Sequence, residues 1–123
     1  MANYKFLNIN PLYRLEQDCV CRAISLALEE DYYKIQQKLY LVAKLFECEQ
    51  LCVCCYKHLL DYVYRLERIE ETQGMTVEEF ANYFPRGTYI VRVNGHCTCV
   101  IDNQIFDIWD CSQEIVDIVW KVK

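Results

Sequence analysis

Proline and glycine are scarce in this chain of 123 residues, with two of the first and three of the second. Long flexible linkers are therefore not expected. The length suits one domain, 1–123, that can bury a core without extra staples. No window of 18 apolar residues occurs, so no membrane span is expected. The first ten residues, MANYKFLNIN, lack a basic region followed by a long apolar stretch and do not read as an export signal. No run of five or more Lys/Arg occurs, and the formal net charge is −5. Nucleic acid and membrane are accordingly not expected partners; a neutral substrate or a basic partner suits the charge better. Internal repeats and low-complexity tracts are missing too. Histidine is down to two residues, His58 and His96.

What the chain has in quantity is apolar surface, tyrosine and cysteine. Apolar residues make up 54% and aromatics 14%, the composition of a packed globule. The nine cysteines stand at 19, 21, 48, 52, 54, 55, 97, 99 and 111. An odd count with no export signal favours free thiols in a reducing, cytoplasmic setting. The patterns C-x-C, C-x3-C-x-C-C and H-C-x-C lack the C-x2-C knuckles of zinc modules and fall within expected helices and strands. No metal or other cofactor is therefore expected, and Cys97 and Cys99 read as core filler. Tyr32, Tyr33, Tyr40, Tyr56, Tyr62 and Tyr64 cluster in the helical half, as packing residues or as a protein-binding face.

The pattern predicts an extended lead-in over 1–17, where Pro11 blocks a helix. A first helix starts after Asp18, an N-cap residue, and carries CVCRAISLAL. A second runs from about 31 to 46 and a third from about 51 to 70, with Leu59, Leu60, Val63 and Leu66 as its buried stripe. Gly74 breaks the chain. Thr76 with Glu79 forms a capping box before a short helix that ends near Phe84. Beyond Gly87, TYIVRV, HCTCVI, QIFDIW and EIVDIVWKV read as four strands joined by tight turns at Asn94-Gly95 and Asp102-Asn103. Helices first and an antiparallel sheet second give the class α+β.

This order has chemical meaning. Unpaired N–H groups and the helix dipole stabilise a thiolate in the first turn of a helix, and Cys19 holds that place. Cys21 lies about 200° around the helix and cannot share its cleft. His96 opens a strand beside a turn, where a base can meet substrate. If the turn at 102–103 has two residues, residue i faces residue 205 − i, so His96, Thr98, Asp107 and Trp109 share one sheet face. Asp107 is then the diagonal neighbour of His96 and its candidate orienting acid. Asp102 and Asp110 compete for that role, and an odd-length turn would reverse the choice. His58, mid-helix, reads as a packing residue, and Trp109 as core.

A helix-starting cysteine, a distant strand histidine and an Asp on the next strand, with Asp107-Ile108-Trp109 placing a tryptophan two residues on, resemble the papain-like cysteine peptidase superfamily. More narrowly, QDCVCRAISLAL and GTYIVRVNGHCTCVIDNQIFDIWDCS resemble small peptidase-like proteins of bacteria and their phages. The resemblance implies a papain-like fold with N-terminal helices packed on a C-terminal sheet. It also implies a Cys19-His96-Asp107 triad in a cysteine peptidase or related thiol acyl-transfer hydrolase acting on a protein or peptide substrate. The family keeps an oxyanion-hole glutamine about six residues before the cysteine. Tyr13 stands there, so Gln17 is the candidate donor, with Asn8 and Asn10 further back. The other reading keeps the fold with an idle triad, as a phage or mobile-element factor that sequesters a host protein.

Overall fold

The structure, a computed structural model, describes residues 3–15, 18–49 and 52–123. It is α+β. The elements are β1 (Asn3–Phe6), α1 (Cys19–Leu28), α2 (Tyr32–Leu45), α3 (Val53–His58), which runs into a π-helical turn (Leu59–Val63), and β2 (Glu67–Arg68). They continue as α4 (Val77–Tyr83), β3 (Thr88–Val93), β4 (His96–Ile101), β5 (Gln104–Asp107) and β6 (Val116–Lys121). Among the described residues no helix is long and apolar enough to cross a membrane.

The six strands form one sheet in the order β1-β5-β4-β3-β6-β2. The expected helix-then-antiparallel-sheet division needs a correction here, because the sheet is mixed. β1, read as a lead-in without a strand, pairs in parallel with β5 from Asn3↔Gln104 to Phe6↔Asp107. It takes the open edge of β5 and satisfies backbone groups that would otherwise stay unpaired. The hairpin and β3–β6 pairings are antiparallel as expected.

α1, α2 and α3 cover one face of this sheet. Val20, Cys21, Ile24, Ile35, Leu39 and Leu60 pack there against Ile90, Cys97, Cys99 and Trp120. α4 covers the other face, where Val77, Phe80 and Ala81 meet Val91, Val100, Ile105 and Val119. Burying one such side chain fully is worth about 2 kcal/mol. Thr76 and Glu79 close the expected capping box on α4.

The third helix is shorter than its periodicity predicts. Its expected start at Leu51 lies outside the described residues, and helical structure stops at Val63 rather than near Glu70. Arg65 takes a left-handed φ of 53°. Arg68 and Trp120 then both donate to Asp61, at 2.6 and 2.8 Å, while Glu67 and Arg68 pair with β6. Strand pairing and a buried-edge ion pair outweigh helix propensity, which is a weak determinant. Val63 is accordingly exposed, not part of a buried stripe, and Leu66 is only partly buried.

Candidate active site

α1 begins where expected, but Asp18 does not cap it with its side chain. Its carboxylate instead accepts from Arg22 Nε (2.6 Å), Tyr32 Oη (2.7 Å) and Asn10 Nδ2 (2.9 Å), all in the interior. This anchors the first turn of α1 and with it Cys19. Cys21 points into the core and donates to the Tyr32 carbonyl, so the two cysteines diverge as the helical period requires.

The β4–β5 turn has two residues, Asp102 and Asn103, with φ of 45° and 67°. Such left-handed pairs match the twist of a two-residue hairpin. Its register is Cys99↔Phe106, Val100↔Ile105 and Ile101↔Gln104. β5 ends at Asp107 rather than at Trp109, and the ladder stops at Cys99↔Phe106. The hairpin is thus open where His96 and Asp107 stand, and the start of α1 reaches them there.

His96 Nε2 lies 2.6 Å from Asp107 Oδ2. The other Asp107 oxygen accepts from Arg22 Nη1 (3.2 Å) and the Ile108 N–H (2.7 Å). Cys19 and His96 line the same cavity, near enough for His96 to act on the Cys19 thiol. The hydrogen-bonded chain therefore runs His96, Asp107, Arg22, Asp18, and Cys19 stands at its open end. Trp109, expected in the core, is 42% exposed, with its ring 4.7 Å from that of His96. Ending β5 at Asp107 frees Trp109 from the sheet and lays it over the imidazole.

The electrostatics follow from these contacts. Burial disfavours a charged imidazole, yet the hydrogen bonds to Asp107, Cys111 and Cys19 raise the His96 pKa to about 11. Burial likewise pushes the Cys19 thiol up, but the hydrogen bond and charge of His96, with the Cys97 backbone and Arg22, bring it net below its ordinary value. Asp107 is also lowered: burial opposes its charge, and His96 outweighs burial. Both shifts run toward a thiolate–imidazolium pair.

A cavity of about 390 Å³ opens on this pair, lined by Cys19, His96, Trp109, Tyr56, Arg92 and Val53 among others. Its size is in the range of small-ligand sites. Arg92 donates to Tyr56 Oη (2.8 Å) and pairs with Asp117 at the rim.

Of the residues expected at the site, Cys19, His96 and Asp107 come together. Gln17 lies outside the described residues. Asn10 is spent on Asp18 and on the Leu12 N–H, and the Asn8 amide on the Arg14 carbonyl. His58 packs between Phe46 and Tyr62. Sequence reasoning missed Arg22, although a lone charge inside CVCRAISLAL four residues after Asp18 was a usable signal. It also missed Cys111, whose thiol lies 3.6 Å from Asp107 Oδ2 and for which the sequence gives no signal. His96, Asp107 and Cys111 present donor atoms within 4.8 Å of one another. They suit a metal ion poorly, because the Arg22 guanidinium already occupies the Asp107 carboxylate.

No family model matches this chain, and no curated protein or solved structure matches it either.

Proposed function

We propose that this chain is a papain-like thiol hydrolase, a cysteine peptidase or related acyl-transfer enzyme acting on a protein or peptide substrate. The observation that carries the reading is the imidazole of His96, held by Asp107 at 2.6 Å on one ring nitrogen, with Cys19 beside it in the wall of the same open cavity. Nothing local in the sequence brings Cys19 and His96 together. In the proposed reaction the Cys19 thiolate attacks an acyl carbon. The imidazolium then gives its proton to the leaving amine, which departs and leaves a thioester. Water, deprotonated by His96, attacks the thioester, releases the acid and restores the pair. Asp107 fixes the tautomer and orientation of the ring. The Cys19 N–H, in the first helical turn, supplies one oxyanion donor, and Gln17 is the candidate for the second.

The test is selective alkylation. Iodoacetamide applied below pH 7 should modify Cys19 well ahead of the other eight cysteines, and peptide mapping by mass spectrometry reads the order. Slow, uniform labelling sinks the enzyme reading. It favours the second one, a binding protein with an idle triad. That alternative has its own observation, an exposed apolar surface on the helical half that includes Leu45, Phe46, Tyr62 and Val63.

A further inference from the structure

The cavity on Cys19 and His96 has a cationic lining. Arg22, Arg92 and His96 line it, and among its described lining residues there is no Asp or Glu. Arg22 is already spent on Asp18 and Asp107, at 2.6 and 3.2 Å. Arg92 is held differently. It stands in β3 opposite Cys97, one place from the Val93↔His96 pair, so the sheet register sets its position near the histidine. Its Nε donates to Oη of the buried Tyr56 at 2.8 Å, and its Nη1 donates to Asp117. The β3–β6 ladder is irregular there: Arg92 pairs with Ile118 and Val93 with Val116, so Asp117 is the extra residue. Bulges re-aim side chains in this way and recur beside active sites. Two acceptors thus fix the plane of the guanidinium, and its Nη2 has no partner among the described residues. The Asp117 side chain is 50% exposed on the rim, where water screens its charge, whereas that of Arg92 is 19% exposed and lines the cavity.

We propose that Arg92 receives a carboxylate of the ligand bound at Cys19, either an acidic side chain or a free C-terminus. The proposal rests on the hydrolase reading for what that carboxylate selects, a substrate, though not for its binding. A planar arginine fork matches a carboxylate better than a point charge does, and a fork already oriented loses less side-chain freedom on binding. The net charge of −5 suits a neutral substrate or a basic partner, but the charge of a whole chain does not set the field inside one cleft. Val53, Ile108 and Trp109 supply apolar wall for the rest of the ligand. Binding is non-covalent: it adds contacts at Nη2 and leaves the Tyr56 bond in place.

Three peptides separate the outcomes: acetyl-Ala-Glu-Ala-amide, acetyl-Ala-Gln-Ala with a free C-terminus, and acetyl-Ala-Gln-Ala-amide. Each is titrated into the Cys19→Ser chain, which has no nucleophilic thiol in the cleft, and binding is followed by NMR of the Trp109 indole N–H. At least one anionic peptide should bind at least about fivefold tighter than the neutral one, and which one does so tells a side chain from a terminus. Arg92→Gln should remove the preference, and Arg92→Lys should keep part of it. Asp117→Asn, at the exposed rim, should strengthen it by releasing Nη1. Equal binding of all three peptides overturns the proposal before any further substitution is made. So does a preference that survives Arg92→Gln in a chain shown by circular dichroism to be folded, or one that ignores both Arg92→Lys and Asp117→Asn. The hydrolase reading is decided separately, by iodoacetamide labelling of the native chain. Fast labelling of Cys19 with no carboxylate preference sinks this inference alone. Slow labelling with the preference intact sinks the hydrolase and leaves Arg92 as the anchor of a bound ligand.

Discussion

The first turn of α1 and the middle of β4 hold cysteines close together in space, and their chemistry is opposite. Cys19 is partly buried and its thiol is shifted down. Cys97 is fully buried, and burial pushes its thiol well up; Cys99 follows it. Even Cys21, two residues along the same helix, is pushed up to about 12 by burial and by Asp18. Burial acts on all four. What separates Cys19 is a cationic partner beside it, and that partner is cationic because Asp107 holds it. Reactivity is thus set by the chain of charges rather than by the helix terminus alone.

The sharpest way to break this contrast is to remove the partner. His96→Ala should slow alkylation of Cys19 below pH 7 by at least about a hundredfold and bring it level with the other thiols. Cys19→Ser should abolish any hydrolysis outright. If Cys19 stays fast without His96, the helix terminus suffices and the contrast is misattributed.

Next in size is the support behind the pair. Arg22 is almost wholly buried between Asp18 and Asp107. Arg22→Met leaves the buried Asp18 carboxylate without its cation and should cost about 3–5 kcal/mol of stability, read by denaturant unfolding. Asp107→Asn should cost less and retain part of the Cys19 reactivity, because an amide can still orient the ring. A neutral outcome for Arg22→Met would show that the network is not what holds α1 to the hairpin.

Much of this was readable in the sequence, and the reasons it was or was not are physical. The Asp102-Asn103 turn sets the hairpin parity, and parity together with the Asp107-Ile108-Trp109 resemblance points to Asp107 ahead of Asp110. Local capping signals located α1, α2 and α4. The misses were tertiary. Nothing local says that residues 64–70 leave a helix, since Arg65 carries no breaker chemistry and the strand partner at Lys121 and Trp120 is far along the chain. The parallel pairing of β1 was equally invisible, because Asn3–Phe6 is too short for a strand signal to rise above composition. Trp109 invites a core reading as large aromatics do, while its place two residues after Asp107 invites a shield beside His96. A strand that ends two residues early gave it another place.

A smaller effect is the pH dependence of stability. The His96 pKa rises from 6.5 to about 11 on folding. Its stabilisation is therefore complete below its unfolded value and is lost as pH climbs toward about 11. Cys19 runs the other way: lowered on folding, it stabilises above its unfolded value of 9.0, and that contribution fades as pH falls through the folded value. The stability advantage of the native chain over His96→Ala should thus be smaller at pH 11 than at pH 6.5, with most of the loss above pH 9, measured by denaturant midpoints. A constant gap would mean that the imidazole is not charged at neutral pH.

The smallest expected effect tests Trp109. Its ring lies 4.7 Å from that of His96 at an interplanar angle of 52°, and it is 42% exposed. It contributes little to the core, so Trp109→Ala should change global stability by less than about 1 kcal/mol. It does, however, lie against the imidazole that Asp107 holds. Water admitted there raises the local dielectric and weakens the 2.6 Å contact, and the charge on His96 falls with it. Alkylation of Cys19 should slow by about two- to tenfold, and its pH dependence should move toward that of an ordinary thiol. Trp109→Phe, which keeps an apolar ring in place, should restore most of the rate. If both variants behave alike, the tryptophan acts as a cavity wall for substrate and not as a cover for the ion pair.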